Sequence, residues 1–259
     1  MTEEQKFLFD LNGFLVVEDV LPAAQCERLK AQINLMVHDP QRLPPHARTA
    51  PGGELAALID HPVVIDILRE IIGPYLRLDH AYVIWREKGK RHPMDLHHGG
   101  PIPDPFFHYH FTGGHIRSGL TRVVFELNDV EEDDGGTCFL PGSHKANYPV
   151  PAAHQLLEPE RRSPFVYRPR CPAGSVVVFS ENTAHGGPPW QNAEQPRVAA
   201  FFSYNHVGMQ FHRFRVAPEV LPSLTPGQRA YLRDVWVHDF DRDVGNTGED
   251  APAEAIAAS

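Results

Sequence analysis

The sequence is poor in cysteine. Its 259 residues include three cysteines, Cys26, Cys138 and Cys171, and no two of them share a CxxC spacing. An odd number of scattered cysteines excludes a disulfide framework as the source of stability. We therefore predict reduced, mostly buried thiols and a cytoplasmic protein.

Long hydrophobic runs and an excess of positive charge are also missing. No stretch approaches the roughly 20 apolar residues of a membrane helix, and the N-terminus lacks the basic and then apolar pattern of a signal peptide. The net charge of −9 argues against nucleic acid or an anionic membrane as the main partner. We expect a small-molecule substrate, with no nucleic acid and no membrane among the partners.

What the sequence does contain is enough apolar material for one core and an unusual number of histidines. Hydrophobic residues make up 42% of the chain, and histidine occurs 16 times, which directs attention to metal chemistry. No internal repeat or linker divides the chain, so residues 1–244 are predicted to form a single domain. Residues 245–259 are small and acidic, and we predict a disordered tail there.

The pattern of apolar residues predicts two early helices followed by many short strands. One helix follows Pro22 and stops before Pro40, and a second begins at Pro62 with Asp60 as its cap. A capping box at Thr225 predicts a third helix over 226–236. We predict a short strand within 7–20, and further strands at 78–86, 119–128, 136–140, 164–168, 175–180 and 197–204. Such a series favours a mainly β fold, a sandwich or jelly roll with flanking helices.

One constellation of residues could carry chemistry. The apolar run from Ser175 leads to His185, and Arg197 opens the next predicted strand twelve residues later. Upstream stand the adjacent pair His97 and His98, with two glycines, and then a Pro-Gly-Ser-His turn that ends at His144. In order and spacing this pattern resembles the phytanoyl-CoA dioxygenase (PhyH) family of Fe(II)/2-oxoglutarate-dependent oxygenases. The resemblance runs from Asn12 to about Tyr204.

The resemblance implies a double-stranded β-helix (jelly roll, cupin-like) with Fe(II) and 2-oxoglutarate as cofactors and O2 as cosubstrate. His97 would be the proximal metal ligand and His185 the distal one, because imidazoles on one face of Fe(II) leave positions open for the keto acid and oxygen. Arg197 would bind the far carboxylate of 2-oxoglutarate through its planar fork of donors. His98 is the alternative to His97.

The sequence departs from the family pattern at the carboxylate ligand. Where the family has His-x-Asp, this chain has Gly99 after His97, or Gly100 after His98. A small residue at this place is typical of aliphatic halogenases, in which chloride takes the vacated coordination position. We therefore count Gly99 with His97 and His185 as the predicted catalytic set. Asp95 and Glu126 are the carboxylates that could substitute.

The resulting prediction is an oxidoreductase that attacks an aliphatic C–H bond of a small molecule, either as a hydroxylase or as a halogenase. The first alternative is a catalytically silent jelly-roll binding protein that has lost iron. The second is a cupin-like metalloenzyme that does not use 2-oxoglutarate. The presence of Arg197 beside His185 argues against both, because neither needs a carboxylate clamp next to a metal histidine. His144 is predicted to be structural.

Overall fold

The computed structural model of the protein describes residues 1–90, 94–101, 108–157 and 163–236. In these ranges the α-helices are α1 (Glu3–Asn12), α2 (Ala23–His38), α3 (Pro62–Ile71) and α4 (Pro226–Ala230). The strands are β1 (Phe14–Val17), β2 (Leu76–Arg86), β3 (Met94–His97), β4 (His110–Thr112), β5 (His115–Arg117), β6 (Thr121–Glu126), β7 (Cys138–Phe139), β8 (Val176–Ser180), β9 (His185–Gly187) and β10 (Arg197–His206). The tail predicted to be disordered, 245–259, lies outside the described residues.

Two antiparallel sheets form the body of the protein. The larger has the strand order β1-β8-β6-β10-β2, and the smaller has the order β3-β9-β7. Strands β4 and β5 form a separate hairpin. The aromatic ring of Phe139 on β7 stacks on that of Phe14 on β1, with ring centroids 4.3 Å apart, so the two sheets pack face to face. This architecture confirms the predicted jelly roll with flanking helices.

The larger sheet is buried on both faces, which explains its nearly continuous apolar strands. Along β8, Val176 and Val178 belong to the core that includes the helices, whereas Val177 and Phe179 face the smaller sheet. The side chains of a strand alternate between the two faces. The same alternation in β2, β6 and β10 turns several polar side chains toward the smaller sheet, namely the buried Arg86, Arg122, Glu126 and Arg197 and the partly buried Tyr82.

The N-terminal region contains the predicted strand and a helix that was not predicted. The short strand expected within 7–20 is β1 (Phe14–Val17), and the residues before it form α1 as far as Asn12. The side chain of Thr2 accepts a hydrogen bond from the backbone N–H of Gln5, and the Gln5 side chain completes a capping box. The capping box therefore favours a helix in the residues before Gly13, despite their weak alternation of apolar and polar side chains. Gly13, with φ +82°, ends the helix.

Three other elements differ from their predicted form. The last helix keeps its predicted capping box but spans only Pro226–Ala230. Asp60 does not cap α3, because His61 stands at that position, and Asp60 instead accepts a hydrogen bond from Gln228. The strand predicted at 164–168 is reduced to one isolated bridge between Tyr167 and Phe139.

No helix in the described ranges is long and apolar enough to cross a membrane.

Candidate active site

The smaller sheet brings the two predicted metal histidines together. Strands β3 and β9 pair antiparallel, and His97 lies directly opposite His185 in their register. The centroids of the two imidazole rings are 4.2 Å apart. Residues 88 positions apart in the sequence thus form one pair at the edge of the space between the sheets.

Each of these two rings is oriented by a backbone carbonyl two residues earlier. Nδ1 of His97 lies 3.1 Å from the carbonyl oxygen of Asp95, and Nδ1 of His185 lies 2.6 Å from that of Thr183. Because a carbonyl can only accept, Nδ1 must carry the proton in both contacts. This arrangement turns Nε2 of each ring away from the backbone, as in histidines that bind a metal.

The buried groups around His185 have strongly shifted pKa values. Burial lowers the pKa of His185 to about 3, so the ring is neutral near pH 7. Burial alone would raise the pKa of Glu181, but the Arg122 guanidinium paired with it lowers that pKa below its usual value. A neutral imidazole and an ionised carboxylate therefore stand side by side, which is a donor set suited to a divalent transition metal.

Glu181 was not among the carboxylates considered from the sequence. It follows β8 on the same alternation as Val177 and Phe179 and points between the sheets. Its Oε1 lies 3.6 Å from Nε2 of His185. Ligand atoms of Glu181, His97 and His98 all lie within 4.8 Å of one another. Counting alternate positions beyond the apolar run would have identified this residue.

His98 is the alternative to His97 as a metal ligand. Its Nε2 is 3.8 Å from Glu181 Oε1, and its side chain is about one third exposed, at 34%. The residue also has a positive φ of +61°, which is uncommon for a side chain other than glycine. His97 rather than His98 is opposite His185 in the ladder, so the geometry favours the predicted pair.

The two substitute carboxylates predicted from the sequence are both engaged elsewhere. The Asp95 side chain accepts the backbone N–H of Leu157 at 3.2 Å. Glu126 forms a buried ion pair with Arg197, which donates to it from both Nε and Nη2. Glu181 is therefore the carboxylate that the described residues place beside the imidazoles.

Arg197 is nearly inaccessible to solvent and is held on several sides. Its Nη2 also donates to the hydroxyl of Thr137 at 2.8 Å, and its guanidinium lies over the ring of Phe201, 5.8 Å from the centroid. Burial alone would lower the pKa of Arg197, but the Glu126 carboxylate raises it above its usual value. The family resemblance assigned this guanidinium to 2-oxoglutarate. In the structure, Glu126 occupies the edge of the guanidinium that is formed by Nε and Nη2.

The structure itself explains why glycine stands at position 99. Its φ is +79°, in the left-handed region that favours glycine. A Cβ added there would be 2.6 Å from the Cβ of Ala184, 3.0 Å from Cγ2 of Val150 and 3.2 Å from the Cβ of Ser143. Backbone conformation and close packing both require glycine at this position.

A cavity of about 350 Å³ joins these groups. His97, His185 and Glu181 line one part of it, and Arg197 lines another. Its other lining residues are His80, Tyr82, Ile84, Arg86, Met94, Arg122, Thr137, Phe179, Gly186, Gly187, Phe201 and His212. The cavity therefore combines candidate metal ligands, three guanidinium groups and several rings.

Four other histidines lie outside this cavity. His144 is buried, and its Nε2 lies 2.9 Å from the carbonyl oxygen of Asp10, which confirms the predicted structural role. His108 and His110 line a different cavity beside Tyr75, and His115 is exposed on β5.

A jelly roll with paired imidazoles on one sheet and buried arginines on the other is the architecture expected of Fe(II)/2-oxoglutarate-dependent oxygenases. The chain matches the Phytanoyl-CoA dioxygenase (PhyH) family over residues 9–199 and therefore belongs to it. The family and the enzyme class predicted from the sequence motifs are thus confirmed, with Fe(II), 2-oxoglutarate and O2 as the cofactors of that class.

Individual relatives are distant. An ectoine dioxygenase of Bordetella bronchiseptica is 24% identical over 253 residues, covering 79% of this chain and 75% of the relative. HygX from Streptomyces hygroscopicus, with nickel and 2-oxoglutarate bound, has a TM-score of 0.70 at 23% identity, covering 82% of this chain and 90% of HygX. EctD from S. alaskensis in its apo form has a TM-score of 0.60 at 20% identity, covering 85% of each chain. These two structures establish likeness of fold.

Proposed function

We propose that this protein uses Fe(II), 2-oxoglutarate and O2 to hydroxylate an aliphatic C–H bond of a small polar molecule. The observation that carries the proposal is the paired geometry of His97 and His185. Both rings donate from Nδ1 to a backbone carbonyl, which leaves both Nε2 atoms available as metal ligands. With iron bound, the site supplies an oxidant for the C–H bond while 2-oxoglutarate is converted to succinate and CO2.

Binding of the cosubstrate is assigned to the arginine-rich part of the cavity. Arg197 and Arg86 are opposite each other in the register of β10 and β2, and both line the cavity. Three hydrogen bonds use Nε and Nη2 of Arg197, so Nη1 is the nitrogen that a cosubstrate carboxylate would approach. Two guanidinium groups in one cavity strongly favour the binding of a dianion such as 2-oxoglutarate.

The substrate is assigned to the part of the cavity that is lined by His80, Tyr82 and His212. The His80 and His212 rings stack with centroids 4.4 Å apart, and Nδ1 of His212 is 2.6 Å from the buried carboxylate of Asp79. Rings with polar edges suit a small polar molecule. The relatives accord with this class, since one is an ectoine dioxygenase and HygX has been solved with hygromycin B bound.

Halogenation is the second candidate, and the observation that favours it is Gly99 at the carboxylate position of the family motif. We favour hydroxylation for two reasons. Glycine is already required at this position by its left-handed backbone and by contact with Ala184. In addition, Glu181 provides a carboxylate beside His185.

The proposal is tested by following succinate formation from 2-oxoglutarate with Fe(II), O2 and a panel of small polar molecules, with and without chloride. We expect a substrate-dependent increase in succinate and a product heavier by one oxygen atom. His185→Ala should lose the activity, whereas the exposed His115→Ala should keep it. A folded protein that produces no succinate with any iron and cosubstrate concentration would refute the proposal, and a chlorinated product would replace hydroxylation by halogenation.

A further inference from the structure

We propose that Glu181 is the carboxylate ligand of the metal, supplied from the end of β8 instead of from the His-x-Asp position where this chain has Gly99. The inference rests on the proposed function, since it concerns the same metal that His97 and His185 would bind. It adds a ligand that the sequence motif does not contain.

The first reason is the position of the carboxylate among the imidazoles. Glu181 Oε1 is 3.6 Å from Nε2 of His185 and 3.8 Å from Nε2 of His98. Two ligands about 2.1 Å from one metal, on perpendicular bonds, are about 3.0 Å apart. The donor atoms therefore need only small side-chain movements to share an ion.

The second reason is the chemical character of the two facing atoms. Because Nδ1 of His185 contacts the carbonyl oxygen of Thr183, Nε2 is the ring nitrogen that faces Oε1 of Glu181. These two atoms are 3.6 Å apart, a separation that an ion bound to both can bridge. The separation also exceeds that of an ordinary hydrogen bond.

The third reason is how Glu181 is supported. Arg122 donates from Nε to Oε2 at 2.9 Å and from Nη2 to Oε1 at 3.1 Å, and its Nη1 donates to the hydroxyl of Tyr82 at 3.2 Å. All these groups are in the buried space between the sheets. Carboxylates that bind metals are commonly oriented by such outer hydrogen bonds. Arg122 is therefore a positioning residue for Glu181.

The competing explanation is that Glu181 and Arg122 form only a structural ion pair. A matched control distinguishes the two explanations, because Glu126 is also a buried glutamate, and it is paired with Arg197, which lines the same cavity. Both Glu181→Gln and Glu126→Gln leave an arginine without its carboxylate, but only the first removes a proposed ligand.

The experiment measures Co(II) affinity by calorimetry in the absence of 2-oxoglutarate, together with the visible spectrum of bound Co(II). We expect Glu181→Gln to weaken binding at least about 100-fold, since loss of a group that only supports a ligand already costs about 10–100-fold. Glu126→Gln should change the affinity by less than about threefold, and His185→Ala serves as the positive control. Equal affinities and spectra for wild type and Glu181→Gln would overturn the inference.

Loss of folding is separated from loss of a ligand by a second variant. Glu181→Gln combined with Arg122→Gln removes both charges, so no unpaired charge remains buried. We expect this double variant to unfold at a temperature close to that of the wild type and still to bind Co(II) weakly. Wild-type affinity in the folded double variant would assign the pair a structural role alone.

A measurement on the unaltered protein completes the test. In crystals of the wild type soaked with Ni(II), we expect an anomalous peak with Glu181 Oε1 at about 2.0–2.2 Å, the range for carboxylate oxygens on Zn(II). A peak bound by His97 and His185 with water or chloride in place of Glu181 would overturn this inference and leave the proposed function standing. If His97→Ala and His185→Ala both bind Co(II) as tightly as the wild type, the proposed function itself fails.

Discussion

The requirement for glycine at position 99 gives a prediction whose size follows directly from the structure. Gly114, in the turn of the β4–β5 hairpin, has the same φ of +79° as Gly99, but a Cβ added at Gly114 has nothing within 4 Å. Gly114→Ala and Gly99→Ala therefore share the same backbone penalty, about 1–2 kcal/mol for a left-handed residue with a side chain. Only Gly99→Ala adds overlap with its neighbours.

The overlap sets the difference between the two variants. A Cβ at position 99 would lie 2.6 Å from the Cβ of Ala184, well inside the 3.5–4.0 Å of an ordinary carbon contact. Overpacking of a core typically costs about 1–3 kcal/mol, so the total for Gly99→Ala is about 2–5 kcal/mol. Gly99→Asp should be destabilised at least as much.

Urea unfolding followed by tryptophan fluorescence measures both variants against the wild type. We expect Gly99→Ala to lose more free energy of unfolding than Gly114→Ala, by about 1–3 kcal/mol, the cost of the overlap. If the two variants lose the same free energy to within about 0.5 kcal/mol, the scatter of independent stability measurements, the packing explanation is wrong. The glycine would then have to be explained by the chemistry of the site, as in a halogenase.

Three further predictions concern the ligands, the cosubstrate and the stability at acidic pH. His97→Ala should abolish Fe(II) binding in equilibrium dialysis, whereas His98→Ala should retain it; the reverse result would exchange the two roles. Arg197→Lys should raise the Kd of 2-oxoglutarate at least about tenfold because it loses the planar donors, and Glu126→Gln should not raise it, since it removes the negative charge that is paired with Arg197. Burial lowers the pKa of His144 to about 4, so the unfolded state binds more protons between pH 4 and pH 6.5 and stability falls as the pH falls. From pH 7 to pH 5, urea unfolding should show His144→Asn losing about 2 kcal/mol less than the wild type; equal losses would contradict this.

Local sequence patterns predicted the parts of the fold that depend on strong local signals. The long apolar runs of β2, β6, β8 and β10, and the capping box at Thr225, were all identified because each contains its own signal. The short strands β3 and β9 were not predicted. Each has at most four residues, and their structure depends on pairing with each other across 88 positions of sequence. Long-range pairing of this kind leaves little trace in a local pattern.

The candidate site likewise contains residues that were predicted from the sequence and residues that were not. The resemblance to the family supplied His97, His185 and Arg197, and the cavity brings these three together. The carboxylate could not be found from the motif, because the motif position contains Gly99. Glu181 is recognised only when the alternation of β8 is continued past the end of the apolar run, to a residue four positions before His185. The partner of Arg197 was likewise hidden, since Glu126 is on another strand.

The central claim is that Fe(II) and 2-oxoglutarate bind together at His97 and His185. Anaerobic titration of the wild type with both, followed by visible absorbance, tests it most directly. We expect a metal-to-ligand charge-transfer band that requires both components, that disappears in His185→Ala, and that chloride leaves unchanged. A folded wild-type protein that shows no such band at saturating Fe(II) and 2-oxoglutarate would contradict the claim.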